Sequence, residues 1–136
     1  PITNAFQLQA EISTRAMPRA AEGGLELGLL QAGNAGYRLL LTPRSDSGAT
    51  VTLYAVSPRG TQRVVDSAEY TDALADDQPL QVTLARRPNG LMSAALGETQ
   101  LISVSDGSFN DPFTGVMIAN RGGDYAVKRL TLRGTR

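Results

Sequence analysis

Cysteine, histidine and tryptophan are all absent from this chain of 136 residues. Without cysteine there is no disulfide scaffold and no thiolate metal site, and nothing about redox compartment follows. Without histidine there is no Ser-His-Asp triad, no Cys-His pair and no common zinc centre, which leaves carboxylates, Tyr, Lys and Arg for proton transfer. Long apolar runs are missing too: none reaches the roughly 18 residues of a membrane helix, and no signal-peptide pattern is present. Charge of one sign is also lacking, with Lys+Arg and Asp+Glu equal at 13 each. No net field therefore draws the chain to nucleic acid or to an acidic membrane. The charges are uneven along the sequence, with acids at Asp66, Glu69, Asp72, Asp76 and Asp77 and bases at Arg121, Lys128, Arg129, Arg133 and Arg136. Such runs decorate solvated faces or meet a complementary partner. Pro1 in place of Met fits a mature or excised piece.

What the chain does have is alternation. Phe6, Leu8, Ala10 and Ile12 face one way and Gln7, Gln9, Glu11 and Ser13 the other, the period of a half-buried strand. Leu25, Leu27 and Leu29 repeat the pattern, as do Tyr37, Leu39 and Leu41, with the turn QAGNAG between them. Thr50 to Val56 and Gln62 to Asp66 flank Pro58-Arg59-Gly60 and read as a hairpin. Ser67 to Pro79, with its acids and alanines, reads as a loop, with one helical turn or an extended crossover as the alternatives. Leu80 to Val104 is a three-stranded meander, with Asn89-Gly90 suited to a type I′ turn and Gly97-Glu98 to a type II′ turn. Gly115 to Ala119 is a short apolar strand. In the last strand, Tyr125 to Arg133, Leu130 and Leu132 fall on the opposite parity from Tyr125 and Val127, which calls for a bulge near Lys128. About ten strands and almost no helix make one all-β domain over residues 1–136, an antiparallel two-sheet β-sandwich.

The order of these pieces resembles the concanavalin-A-like jelly roll of lectins and glucanases, and within it the laminin-G-like and carbohydrate-binding modules of bacterial secreted proteins. The resemblance is carried by F-x-L-x-A-E-I at Phe6 to Ile12, G-L-E-L-G-L-L at Gly24 to Leu30 and G-Y-R-L at Gly36 to Leu39. It continues through G-x-x-R at Gly60 to Arg63, the Asn-Gly meander, Leu-Gly-Glu at Leu96 to Glu98, V-S-D at Val104 to Asp106 and G-V-M-I-A-N at Gly115 to Asn120. It implies a non-catalytic glycan-binding module, extracellular or in the cell envelope. Two departures stand out. Only Pro1 to Asn4 precede the first strand where the family has more, so either the sheet is trimmed at that edge or a neighbouring domain or second copy completes it. The closing strand reads YAVK at Tyr125 to Lys128 where the family has an acid near a structural calcium.

A sugar site needs an apolar ring with polar neighbours. Tyr37, Tyr54, Tyr70 and Tyr125 are the candidate rings. The expected ligand-binding set is Tyr37 with Arg38, and Asn120, Arg121 and Asp124 with Tyr125, the latter four gathered by a Gly-Gly loop. Arg63 is a further polar companion. For metal, the loop Asp106, Ser108, Asn110 and Asp111 spaces hard oxygens as Ca²⁺ prefers, but lacks a later bidentate Glu and uses residues that any tight loop uses. No cofactor is expected. Glycosidase chemistry needs two carboxylates about 5 to 9.5 Å apart. Glu11 and Glu26 are the only pair on strands that read as neighbours, and the E-x-D-x-E cluster of the fold's glucanases is missing. The alternative to glycan binding is a protein-interaction or assembly domain, since an incomplete jelly roll exposes an edge.

Overall fold

The computed structural model describes residues 5–16, 24–43, 48–71, 79–109, 111–120 and 124–134. Among the described residues, ten strands form two antiparallel sheets. The strands are β1 (Phe6–Ala16), β2 (Leu25–Leu30), β3 (Gly36–Pro43), β4 (Ala49–Val56), β5 (Gln62–Tyr70), β6 (Pro79–Arg86), β7 (Leu91–Leu96), β8 (Thr99–Ser105), β9 (Gly115–Asn120) and β10 (Asp124–Gly134). The first sheet runs β10-β1-β6-β7-β8 and the second β5-β4-β3-β2-β9. The only helical turn among the described residues is the 3-10 turn Ala32–Asn34 between β2 and β3.

Alternation places the core. Phe6, Leu8, Ala10 and Ile12 of β1 meet Leu25, Leu27 and Leu29 of β2, Tyr37, Leu39 and Leu41 of β3, and Leu84, Met92 and Ile102 of the meander, all buried. Each fully buried Leu or Ile side chain stabilises by about 1.5–3 kcal/mol relative to leaving it in water.

Several local readings change in the fold. β1 is not an edge: it pairs with β10 on one side and β6 on the other. A strand so flanked has no ladder for a partner to complete, and the sheet edges are β10, β8, β5 and β9. β5 runs on to Tyr70, into the stretch expected to be loop, because Ala68 and Tyr70 pack on the core while Ser67 and Glu69 face Thr52 and Thr50. The rest of that stretch, 72–78, lies outside the described residues.

The turn after β6 is not type I′. Asn89 keeps a negative φ, and Gly90 alone is left-handed at φ 88°. Gly90 N–H donates to the Arg87 carbonyl (2.9 Å) and Arg87 N–H to the Leu91 carbonyl (2.9 Å). This is the longer loop in which a turn opened by Pro88 ends on a left-handed glycine. Gly97, at φ 58°, behaves as the type II′ reading requires. The expected bulge is present: Glu11 pairs with Arg129 and Ile12 with Val127, so Lys128 is the extra residue. A second bulge at Val65 lies between the pairs Leu53–Asp66 and Tyr54–Val64.

Candidate functional site

At one end of the sandwich the inward-facing rows stop being apolar. β3 brings Tyr37, in line with Leu39 and Leu41. β6 brings Arg86, in line with Val82 and Leu84. β5 brings Arg63, opposite Ala55, and the chain leaving β8 brings Asp106. Asp106 ties them together. Its Oδ1 accepts from the Tyr37 hydroxyl (2.6 Å) and from the Ser108 N–H (2.9 Å), and its Oδ2 accepts from Arg63 Nη2 (2.9 Å). Arg63 Nη2 also donates to Ser108 Oγ (2.6 Å), and Arg86 Nη2 donates to the Asp106 carbonyl (2.9 Å). The Arg86 guanidinium stands 6.0 Å from the centre of the Tyr37 ring, within cation–π range. Tyr37 meets Phe109 edge to face at 4.8 Å, and Phe6 meets Phe113 the same way at 5.5 Å.

The protonation states follow from these contacts. Burial raises the Tyr37 phenol well above the ordinary tyrosine range, and its bond to the Asp106 carboxylate and that group's charge raise it further. Burial pushes Asp106 upward as well, but hydrogen bonds from Tyr37, Arg63 and Ser108 outweigh it and hold the carboxyl well below the usual aspartate range. Near neutral pH one group stays neutral and the other ionised. In these states the cluster holds the loop after β8 against β3 and β5.

Two clefts open beside this cluster. One, of about 260 Å³, lies between the β4–β5 turn and the loop after β8, lined by Ala55, Ser57, Pro58, Thr61, Arg63, Ser108 and Phe109. The other, of about 300 Å³, is lined by Arg86, Pro88, Asn89, Gly90, Ser105, Asp106 and Gly107. A smaller groove of about 200 Å³ crosses the outer face of the first sheet between Glu11, Gln81 and Arg129.

The register separates the expected ligand set. Tyr37 pairs with Leu29, which pairs with Val116, whereas Asn120 pairs with Leu25. Four residues of strand, about 13 Å, divide the two levels. Tyr37 is 0% exposed, so no face of its ring is open to a sugar. Arg38 is committed elsewhere. Its Nη2 donates to the Asn34 carbonyl (2.6 Å) and its Nη1 to the Tyr37 carbonyl (3.1 Å), which pins the 3-10 turn to the outer face of the second sheet. It lies across Gly28, where a Cβ would stand 2.8 Å from Arg38 Cδ and 2.9 Å from Met117 Cγ. Asp124 and Tyr125 open β10 opposite Ala16 and Thr14. Arg121 and Asn110 lie outside the described residues. Tyr54 is on the outer face of the second sheet, between Arg38 and Val64, and Tyr70 packs against the core.

For the calcium reading, the loop's first carboxylate is turned inward onto a phenol and a guanidinium, and the Asp111 carbonyl accepts from Gln31 Nε2 (2.8 Å). No group of three or more acidic side chains able to hold a metal occurs among the described residues. Glu11 and Glu26 are not neighbours. Their strands belong to different sheets, and each side chain is on the outward parity of its own, so the two carboxylates stand on opposite outer faces and cannot flank one glycosidic bond. Arg86 and Phe109 did not stand out as site residues in the sequence. The readable signal for Arg86 is an arginine at an inward position of an alternating strand. Phe109 offers none, because a loop has no period.

No protein-family model matches the chain, and no curated protein matches it. Solved structures do. The carbohydrate-binding module CBM66 from Bacillus subtilis superposes with a TM-score of 0.71 at 11% identity, covering 96% of this chain and 75% of that one. The carbohydrate recognition domain of Emp46p, in a metal-free form, gives 0.72 at 16% identity, covering 96% and 71%. The Caenorhabditis elegans galectin LEC-6 gives 0.60 at 12% identity, covering 97% and 84%. The fold is thus the concanavalin-A-like jelly roll that the sequence order implies. These three neighbours are, by name, a carbohydrate-binding module, a carbohydrate recognition domain and a galectin. No helix among the described residues is long and apolar enough to cross a membrane.

Proposed function

We propose that this chain is a non-catalytic glycan-binding module that works outside the cytoplasm, and that its sugar sits in the cleft beside Arg63. One observation carries the reading. On a jelly roll shared with lectins, that cleft sets an apolar wall of Phe109 and Pro58 against hydroxyls from Ser57, Thr61 and Ser108 and a guanidinium held in place by Asp106. Sugar rings need this combination, since their C–H faces pack on apolar surface while their hydroxyls bond at the rim. The opposed placement of Glu11 and Glu26 supports the non-catalytic part. The test is a broad glycan and polysaccharide screen, repeated on Thr61→Trp, which fills the mouth of the cleft from an exposed position. Saturable binding lost at least tenfold in the variant, at an unchanged melting temperature, supports the reading. An empty screen, or binding indifferent to the substitution, removes it.

A second reading, assembly with a second copy, has its own observation. Among the described residues the exposed large apolar side chains are Val64 on β5 and Ile118, Val127 and Leu130 on β9 and β10, all on edge strands at opposite sides of the sandwich. β5 carries Asp66 and Glu69, and β10 carries Lys128, Arg129 and Arg133. Such edges suit head-to-tail contact. Light scattering that shows a concentration-independent monomer rules this out.

A further inference from the structure

We infer that the cleft beside Arg63 takes a carboxylated sugar, a single uronic-acid residue whose carboxylate lies on the Arg63 guanidinium. The inference rests on the glycan-binding reading and names the class of sugar.

The argument is the balance of donors and acceptors. A neutral sugar presents hydroxyls that must both donate and accept, so a site for it needs acceptors strong enough to hold those protons. Asp106 is the carboxylate that the lining residues Arg63 and Ser108 contact, and three protein bonds already fall on it, from Tyr37 and the Ser108 N–H on one oxygen and from Arg63 on the other. The lining itself contains no carboxylate. Its one charged side chain is Arg63, and a guanidinium has donors only. Even the hydroxyls are partly engaged, since Ser108 Oγ accepts from Arg63 and Ser57 Oγ accepts from the Thr61 N–H (3.1 Å). A cleft with surplus donors calls for a ligand with surplus acceptors, that is, an anion.

The guanidinium is also oriented. Arg63 Nη2 is fixed from behind by Asp106 and Ser108, while the side chain as a whole is 57% exposed. Both Nη2 hydrogens are committed by that anchorage, which leaves Nη1 and Nε as charged donors for a ligand carboxylate. Pro58 and the small part of Phe109 left exposed add an apolar contact that a bare inorganic anion does not use. Size supplies the last limit. About 260 Å³ is smaller than clefts that enclose drug-sized ligands and suits one pyranose ring.

Isothermal titration of the intact chain with glucuronic acid, its methyl ester, glucose and a 6-sulfated hexose tests this directly. The acid is expected to bind at least tenfold more tightly than the ester or glucose, and to weaken as sodium chloride is raised. Arg63→Gln should abolish that preference. Because Arg63 also holds Asp106, Thr61→Trp provides an independent block of the cleft that leaves the ion pair in place, and it too should remove binding. Equal binding of acid and ester, or tighter binding of the sulfated sugar, overturns the carboxylate assignment while leaving the glycan reading standing. Uronate binding that survives Thr61→Trp overturns the location. Failure of every saccharide in the broad screen defeats the glycan reading itself.

Discussion

The two open sides of this sandwich are finished in different ways. Where β5 lies over β8, the sheets are joined by polar bonds: Arg63 reaches from the second sheet to Asp106 just beyond the end of the first, with Tyr37 and Ser108 on the same carboxylate. At the opposite edges, β9 and β10, inward-facing side chains stay partly in water, with Ile118 at 39%, Val127 at 40% and Leu130 at 42% exposure. Their cross-strand partners Leu27, Ile12 and Ala10 are almost wholly buried. Inward parity therefore gives burial only if another strand or a bonded loop lies beyond. The first side is latched and bears the cleft. The second is apolar and suits a partner.

The largest way to break this contrast is Asp106→Ala. Removing the acceptor strands the Tyr37 hydroxyl in the core and releases Arg63 from Ser108 and the loop. We expect a loss of about 3 kcal/mol, most of it from the buried partners, because the exposed Arg63 pair is screened. Thermal melting should fall by roughly 10 °C. A shift within 2 °C of wild type would show that the latch is ornamental.

The pH dependence is the next largest effect. Asp106 is held below its ordinary range in the fold, so the unfolded chain takes up that proton first as pH falls. The stabilisation is complete above the unfolded aspartate value and is lost as pH drops from about 4 towards the folded value. At the alkaline end Tyr37 stays neutral in the fold while the unfolded phenol ionises, so stability also declines above about pH 10. Urea midpoints measured from pH 5 to 2.5 should drop more steeply for wild type than for Asp106→Asn, and parallel curves would contradict the assignment.

The smallest effect belongs to the open side. Leu130→Ser should cost under about 1 kcal/mol, since much of the side chain is already in water. If that side is a contact surface, the same change lowers the mass seen by light scattering. A cost comparable to Asp106→Ala would mean that the side is sealed after all.

How much of this was legible depends on what alternation encodes. Period two gave the strands, the inward rows and the bulge at Lys128, because each is a property of consecutive residues. It also put Tyr37 in line with Leu39 and Leu41, the row that the fold buries, although Tyr37 was expected to bind a sugar. It does not say which sheet a strand joins. Glu11 and Glu26 both face outward, as their parity requires, yet they lie on opposite surfaces. Nor does it say at which end of a strand two residues meet, and so Tyr37 and Asn120 seemed groupable when they are at different levels.

By itself, then, the sequence determined the strand count, the core-facing set and the jelly-roll order, since these rest on local periodicity and turn chemistry. The cleft and its charge were decided only by tertiary structure. Arg63, Arg86, Tyr37 and Asp106 span 69 residues between the Tyr37 and Asp106 positions alone and meet because two sheets close over one another. The donor surplus beside Phe109 exists only once Asp106 has been consumed by partners that no local pattern names.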